Sequence, residues 1–355
     1  MTNSKNRGAD TLAEILSQPD CWEECLQNLK NENVLSGARE RIGRAKDLLF
    51  IGCGSSYYLA GAAADSWMAI TGLPARAIPA SELLLFPELV WTSQDCVPVL
   101  FSRSGKTSEV VRAAELLERD RGLRTLAITC SRGEALERAA SSTIQLLPAD
   151  ERSTTMTRSF TSMLLALQFL AADVAGDRAF SDDLCRLPAL SAPLITRIQM
   201  QVEEFVSSRE FADYVYLGQG PLHHIACEVM LKVTEMSCSF AQVFHTLEFR
   251  HGPKSIASSS VLTNFLLSES SYQAERDVLE EIAALGAATF VVANRPDSAT
   301  RSTADLVVEL GLDLPEIARL AAYCIPGQLL GHAIGLKKGL DPDKPLHLSR
   351  VVVLD

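Results

Sequence analysis

Short apolar runs separated by longer stretches of helical periodicity constrain this chain more than any other feature. In the first half the runs cover Asp47–Gly52, Arg76–Pro79, Val97–Ser102, Arg124–Thr129 and Thr143–Leu147. Amphipathic stretches such as Tyr58–Ile70 and Ser108–Arg119 lie between them. The second half repeats the scheme with Tyr214–Gly218, Ser237–Phe244, Val261–Leu267, Ala288–Ala293 and Asp305–Glu309, and an apolar helix from Pro315 to about Leu336 closes it. Strands that alternate with helices pair in parallel, because the helix supplies the crossover that a parallel pair needs. The pattern therefore predicts an α/β fold with a doubly wound parallel sheet. It also predicts a duplication: LLFIGCGSS is answered by YVYLGQGPL, and VLFSRSGKT by NFLLSESSY. The expected organisation is a helical segment over 1–40, a first domain over 41–185, a second over 199–340 and a tail over 341–355. Residues 176–198, with Gly176, Asp177, Asp182, Asp183, Pro188 and Pro193, read as the connection.

A chain of 355 residues is long enough for two such cores. Its net charge of −11 argues against a nucleic-acid surface. No apolar run approaches the roughly 20 residues that a membrane span needs. The nine cysteines are scattered, with no C-x-x-C pair, and no signal peptide is evident, so reduced thiols and a cytoplasmic location are expected.

In open parallel sheets, ligands sit at the carboxyl ends of the strands. Two polar turns of the first half fall there. Ser102-Arg103-Ser104-Gly105-Lys106-Thr107-Ser108 ends an apolar run and begins a helix. Backbone N–H groups and the positive end of the helix dipole make such a turn an anion site. Its hydroxyls, with Arg103 and Lys106, suit a phosphate monoester; the alternative is an ordinary capped helix start. Gly52-Cys53-Gly54-Ser55-Ser56 is the second turn, and together the two read as a two-walled phosphate cradle. A third polar segment, Glu151–Ser162, reads as a rim of the same site, with Arg158 as a charge partner, or else as a loop and cap.

In the second half Glu228, Lys232 and Glu235 fall at i, i+4 and i+7, on one face of an otherwise apolar helix. They form either a solvated stripe with a stabilising pair or a buried set in which Glu235 serves as a general base beside Lys232. His251 precedes Gly252-Pro253 on a rigid, exposed turn. The histidines show no metal-ligand spacing: His223 and His224 are adjacent, and His245 has no matching partner.

As an ordered set, these residues resemble the sugar isomerase (SIS) domain proteins, in particular the isomerase half of glucosamine-6-phosphate synthase and the stand-alone phosphosugar isomerases and deaminases. The resemblance runs from Leu12-Ala13-Glu14-Ile15…Gln18-Pro19 through CGSS at 53–56, SRSGKT at 102–107, MTRSFTS at 156–162, E-x-x-x-K-x-x-E at 228–235 and EFRHGP at 248–253 to Asp341-Pro342-Asp343-Lys344-Pro345. It implies two tandem SIS-type domains, each a five-stranded parallel sheet flanked by helices in the flavodoxin-like manner. Ser56, Ser102, Ser104 and Thr107 would bind phosphate, with Cys53, Gly54, Ser55, Arg103, Thr154 and Arg350 completing the substrate contacts. Glu235 would move a proton between C1 and C2, and His251, reaching in from a neighbouring subunit, would assist ring opening, so a homodimer is implied. Lys232 and Glu228 would shape the site. No metal or organic cofactor is implied.

Two departures narrow the expectation. The chain starts almost directly at the isomerase opening, without an amidotransferase domain. Arg350 stands where the synthase has a Schiff-base lysine, and arginine stays protonated. The MTRSFTS segment is closer to the deaminase and ketose–aldose isomerase branch. The expected reaction is deamination of glucosamine 6-phosphate to fructose 6-phosphate and ammonia. The alternatives are a deglycase or isomerase of another phosphorylated sugar or sugar–amine conjugate, and a regulator that only binds phosphosugars.

Overall fold

The computed structural model describes residues 7–43, 45–90 and 96–354, and only the backbone of residues 32 and 33. Residues 1–6 of the expected helical segment over 1–40 lie outside the described residues. Among the described residues, ten strands form two parallel sheets. The first comprises β1 (Asp47–Gly52), β2 (Ala75–Pro79), β3 (Cys96–Phe101), β4 (Leu126–Thr129) and β5 (Ser142–Gln145) in the order β2-β1-β3-β4-β5. The second comprises β6 (Asp213–Gly218), β7 (Phe240–His245), β8 (Val261–Leu267), β9 (Ala288–Ala293) and β10 (Leu306–Glu309) in the order β10-β9-β8-β6-β7. Replacing each strand of the first sheet by its counterpart reproduces the second, so the duplication read from the sequence is a duplication of topology. In each sheet the order reverses between the first and third strands, β1 and β3 or β6 and β8, and the polar turns follow those strands. The apolar runs are strands because both faces are covered: Leu48–Ile51 and Leu262, Phe265 and Leu266 are all buried.

The chain divides into two compact units whose bounds do not follow its linear order. One holds the first sheet: Ser17–Glu151, Met156–Pro188 and Ser349–Asp355. The other holds the second sheet: Met1–Leu16, Arg152–Thr155 and Ala189–Leu348.

From Arg178 onward, the expected connection over 176–198 belongs to one helix, Arg178–Ser207. Phe180, Leu184, Leu187, Ser191, Ile195, Ile198, Val202 and Phe205 are buried at three- and four-residue spacing, and that periodicity overrides the local Pro and Asp signals. The strand expected from Ser237 begins at Phe240, because the preceding helix runs Pro221–Ser237 and closes through Cys238 at φ 49°.

The helix Leu320–Lys337 is buried around its whole circumference for most of its length, and Gly327, Gly331 and Gly335 bring it against Pro221–Ser237. A Cβ at Gly327 would stand 2.4 Å from the Val229 Cβ, and one at Gly335 2.4 Å from the Met236 carbonyl oxygen. This close approach seals the helix that carries Glu228, Lys232 and Glu235.

At the edge of the second sheet, Asp297 caps the short helix Ser298–Thr303 by accepting from the Thr300 N–H at 2.8 Å. That bond, reinforced by Arg276 at 2.8 Å, lowers the Asp297 carboxyl to about 2. A depressed carboxyl stabilises the fold above its unfolded value of about 3.9, and the contribution is lost as pH falls from there toward about 2. Asp297→Ala is therefore expected to cost about 0.5–2 kcal/mol at neutral pH, the usual worth of a cap. Urea midpoints of variant and parent should converge over that acid window; a constant difference would assign the loss to packing.

Candidate functional site

In the unit with the first sheet, two turns at the carboxyl ends of β1 and β3 present the hydroxyls. Gly54 (φ 57°) caps the helix Ser55–Thr71, and Ser55 and Ser56 lie largely buried in its first turn. Gly52 has no room for a side chain, since a Cβ would stand 2.1 Å from the Ser56 carbonyl oxygen. Burial pushes the Cys53 thiol up to about 12, so it stays protonated.

After β3 the chain folds back on itself. The Gly105 N–H donates to Ser102 Oγ at 3.2 Å, Ser102 and Thr107 hydroxyls lie 3.2 Å apart, and Ser131 Oγ donates to the Ser104 carbonyl at 2.8 Å. Gly105 (φ 64°) is required: a Cβ there would meet Ser131 Oγ and Glu134 Cβ at 2.9 Å. Among the described residues, the backbone N–H groups of Arg103, Ser104 and Thr107 donate to no protein acceptor. Three N–H groups and several hydroxyls gathered at a helix start form a nest for an anion.

The equivalent turn of the second sheet, Ser268–Ser271, is already filled by the chain's own carboxylates. Glu275 accepts from the Ser268 N–H at 3.1 Å, Ser271 Oγ at 2.7 Å and Thr246 Oγ1 at 2.7 Å. Glu316 accepts from Ser268 Oγ at 2.9 Å and from the Glu269 N–H. Only the first turn keeps its donors for a ligand.

The cations expected to mark the first turn do not lie open on it. The Arg103 guanidinium is buried, with Nη1 3.2 Å from Glu151 Oε2 and Nη2 2.9 Å from the Arg350 carbonyl oxygen. Lys106 pairs with Glu134 at 3.1 Å. Arg158 is also committed, to Ser17 Oγ and the Asp150 carbonyl, and Arg350 pairs with Asp150 at 2.5 Å. The turn's attraction for an anion therefore rests on N–H and O–H dipoles. Glu151, assigned no role from the sequence, organises the third segment: it accepts from the Thr157 N–H (2.6 Å) and the Ser159 Oγ (2.5 Å) besides Arg103.

In the unit with the second sheet, Glu228 and Lys232 are wholly buried. Lys232 Nζ lies 3.2 Å from Glu228 Oε1 and 2.6 Å from Glu235 Oε2. The solvated-stripe alternative is thereby excluded. Burial pulls the ammonium toward deprotonation, but the Glu228 and Glu235 carboxylates outweigh it and hold Lys232 above the usual lysine value. Glu235 is half-buried rather than buried, its side chain 19% exposed against 0% for the other two. It lines a cavity of about 540 Å³ with Arg7, Asp10, Cys238, Asp341 and Lys344.

Thr154 belongs to a turn held from two sides. Its N–H donates to the Asp343 carbonyl at 3.2 Å, and the buried Glu14 accepts from the Arg152 and Ser153 N–H groups. Asp343 in turn accepts from the Thr11 N–H and hydroxyl, both at 2.7 Å. His251 ends the 3-10 turn Glu248–His251 and is exposed. Phe249 anchors that turn in the core, Arg250 pairs with Glu281 at 2.7 Å, and Gly252 takes φ 132°. The His245 ring stacks on that of His223, with centroids 3.6 Å apart. Among the described residues, no three His, Cys, Asp or Glu side chains are grouped to hold a metal ion. All nine cysteines are free thiols, and no described helix is long and apolar enough to cross a membrane.

The family model for the SIS domain matches residues 41–172. The glutamine–fructose-6-phosphate aminotransferase (isomerizing) of Methanothermobacter thermautotrophicus is 25% identical over 345 residues, covering 97% of this chain and 57% of that protein. The chain thus spans little more than half the length of that relative. The crystal structure of glucosamine-6-phosphate deaminase from Thermotoga maritima is similar at 29% identity and a TM-score of 0.80, covering 97% of this chain and all of that one (100%). Tagatose-6-phosphate ketose/aldose isomerase from Escherichia coli shares the fold, with a TM-score of 0.82 at 22% identity, over 95% of this chain and 96% of its own.

Proposed function

We propose, from the match of the SIS-domain model to residues 41–172, that the chain is a phosphosugar aldose–ketose isomerase acting as a deaminase of glucosamine 6-phosphate. In this reading the phosphate is held by the hydroxyls of Ser56, Ser102, Ser104 and Thr107 and the backbone N–H groups of Arg103, Ser104 and Thr107. Glu235 takes the C2 proton of the opened amino sugar and returns it at C1. Water then hydrolyses the resulting C2 imine, so that glucosamine 6-phosphate and water give fructose 6-phosphate and ammonia. His251 assists ring opening from a second copy of the chain, a role that its exposure on a rigid turn supports. No enzyme lysine is needed to form the imine, because the substrate brings its own amine; this suits Arg350 at the tail.

One observation carries the assignment of the base. Of three charged groups on one helix face, Glu228 and Lys232 are wholly buried, and Glu235, paired with Lys232, is the one that lines the cavity of about 540 Å³. The ammonium 2.6 Å away and the adjoining cavity support Glu235 as the group that moves the proton.

The test is release of ammonia from glucosamine 6-phosphate by the purified full chain. Stoichiometric ammonia and fructose 6-phosphate are expected. Binding of hexose phosphates without ammonia would transfer the site to another phosphosugar conjugate or to a sensor, and absence of both would remove the phosphosugar reading.

A further inference from the structure

Arg103 stands in the middle of the candidate phosphate turn, yet its side chain leaves that turn. Its guanidinium forks between the buried Glu151 carboxylate and the carbonyl of Arg350 in the C-terminal tail. The backbone at Arg103 is fixed too, since its carbonyl accepts from the Cys130 N–H at 3.0 Å and Thr129 Oγ1 at 3.2 Å. The tail is then held on the helix that begins at Ser108. The Ser108 N–H donates to the Val352 carbonyl at 3.3 Å, the Leu354 N–H donates to Ser108 Oγ at 2.9 Å, and Arg112 Nη2 reaches the Leu354 carbonyl at 3.4 Å. Arg350 adds its pair with Asp150. Val352, Val353 and Leu354 are 52%, 67% and 46% exposed, so apolar burial does not hold them there. What holds them is polar, and among the described residues its buried anchor is Arg103.

We propose that Arg103 is a positioning residue that fastens tail residues 350–354 to the turn and helix start of the candidate phosphate site. The Glu151 carboxylate fixes the guanidinium plane, and the free edge of the fork grips the backbone of Arg350. The tail is thereby tied to the same residues that would surround a bound phosphate. The inference rests on the phosphate reading for its bearing on catalysis, but its geometry does not depend on a ligand.

Hydrogen exchange of the ligand-free full chain tests it, with Arg103→Lys as the variant. Lysine keeps a cation opposite Glu151, so the buried carboxylate is not stranded, but it cannot reproduce the fork. Amide protection over 350–354, read at Leu354, is expected to fall about tenfold or more, as when a charge-assisted bond is lost. Protection of β3 and β4 and the thermal midpoint should stay at parental values. With glucosamine 6-phosphate, KM should rise about tenfold at nearly unchanged kcat; general destabilisation would instead lower kcat at constant KM. Unchanged tail protection in Arg103→Lys, or equal losses in the tail and in β3, would overturn the proposal. Failure of the parent to bind inorganic phosphate in calorimetry would count against the phosphate reading alone, because the exchange is read without ligand.

Discussion

Glu235→Gln is expected to lower turnover of glucosamine 6-phosphate by about 10²–10⁴-fold, the usual cost of losing an acid–base group. Glutamine preserves the volume and can still accept from Lys232, so the ion pair becomes a hydrogen bond and the neighbouring buried pair survives. Substrate binding should change little, because the proposed phosphate turn is built from other residues. Steady-state kinetics separate the effects: a fall in kcat at nearly constant KM marks a group that acts in the transition state. Parental turnover in the variant would show that another residue moves the proton. A rise in KM alone would make Glu235 a binding group.

Lys232→Met should be the most destabilising single change in the helix Pro221–Ser237. The ammonium is wholly buried between Glu228 and Glu235, and Glu228 is equally buried. Removing the lysine leaves a carboxylate in an apolar interior sealed by the Gly327–Gly335 face, and breaking such a pair typically costs about 3–5 kcal/mol. Urea denaturation reads the loss directly. The double variant Lys232→Met with Glu228→Gln should recover part of it, since no buried charge is then stranded. A single variant with the parental midpoint would mean that water or a rearranged side chain already satisfies Glu228. The pH dependence has a definite sign. A lysine held above its unfolded value of about 10.4 contributes fully below that pH, and its contribution disappears as pH rises through the higher folded value. The Lys232 contribution is therefore constant through the neutral range and lost only in strong alkali.

The same helix shows how far local pattern reaches. Spacing alone put Glu228, Lys232 and Glu235 on one face, but a solvated stripe and a buried one have the same period. The decision came from a second helix, more than eighty residues further on, whose glycines allow it to lie against the first. The glycine spacing at 327, 331 and 335 is itself legible, as are Glu14 and Glu151 just before hydroxyl-rich or apolar segments. What each of them holds is not, because their partners are backbone amides and hydroxyls brought together by the chain's return.

By itself the sequence determined the parallel, duplicated α/β plan, the two polar turns at strand ends, the charged face of one helix and the exposed turn at His251. These follow from periodicity, chain reversals and residue chemistry, which act over a few neighbours. The tertiary structure decided which donors remain for a ligand. It filled the second sheet's turn with Glu275 and Glu316 and left the Arg103, Ser104 and Thr107 amides of the first turn without a protein acceptor. It turned Arg103 inward to Glu151 and the tail, stacked His223 on His245, and left Glu235 alone of its triad in contact with a cavity. The physical reason is that burial and charge pairing depend on atoms distant in the chain, whose positions no local pattern carries.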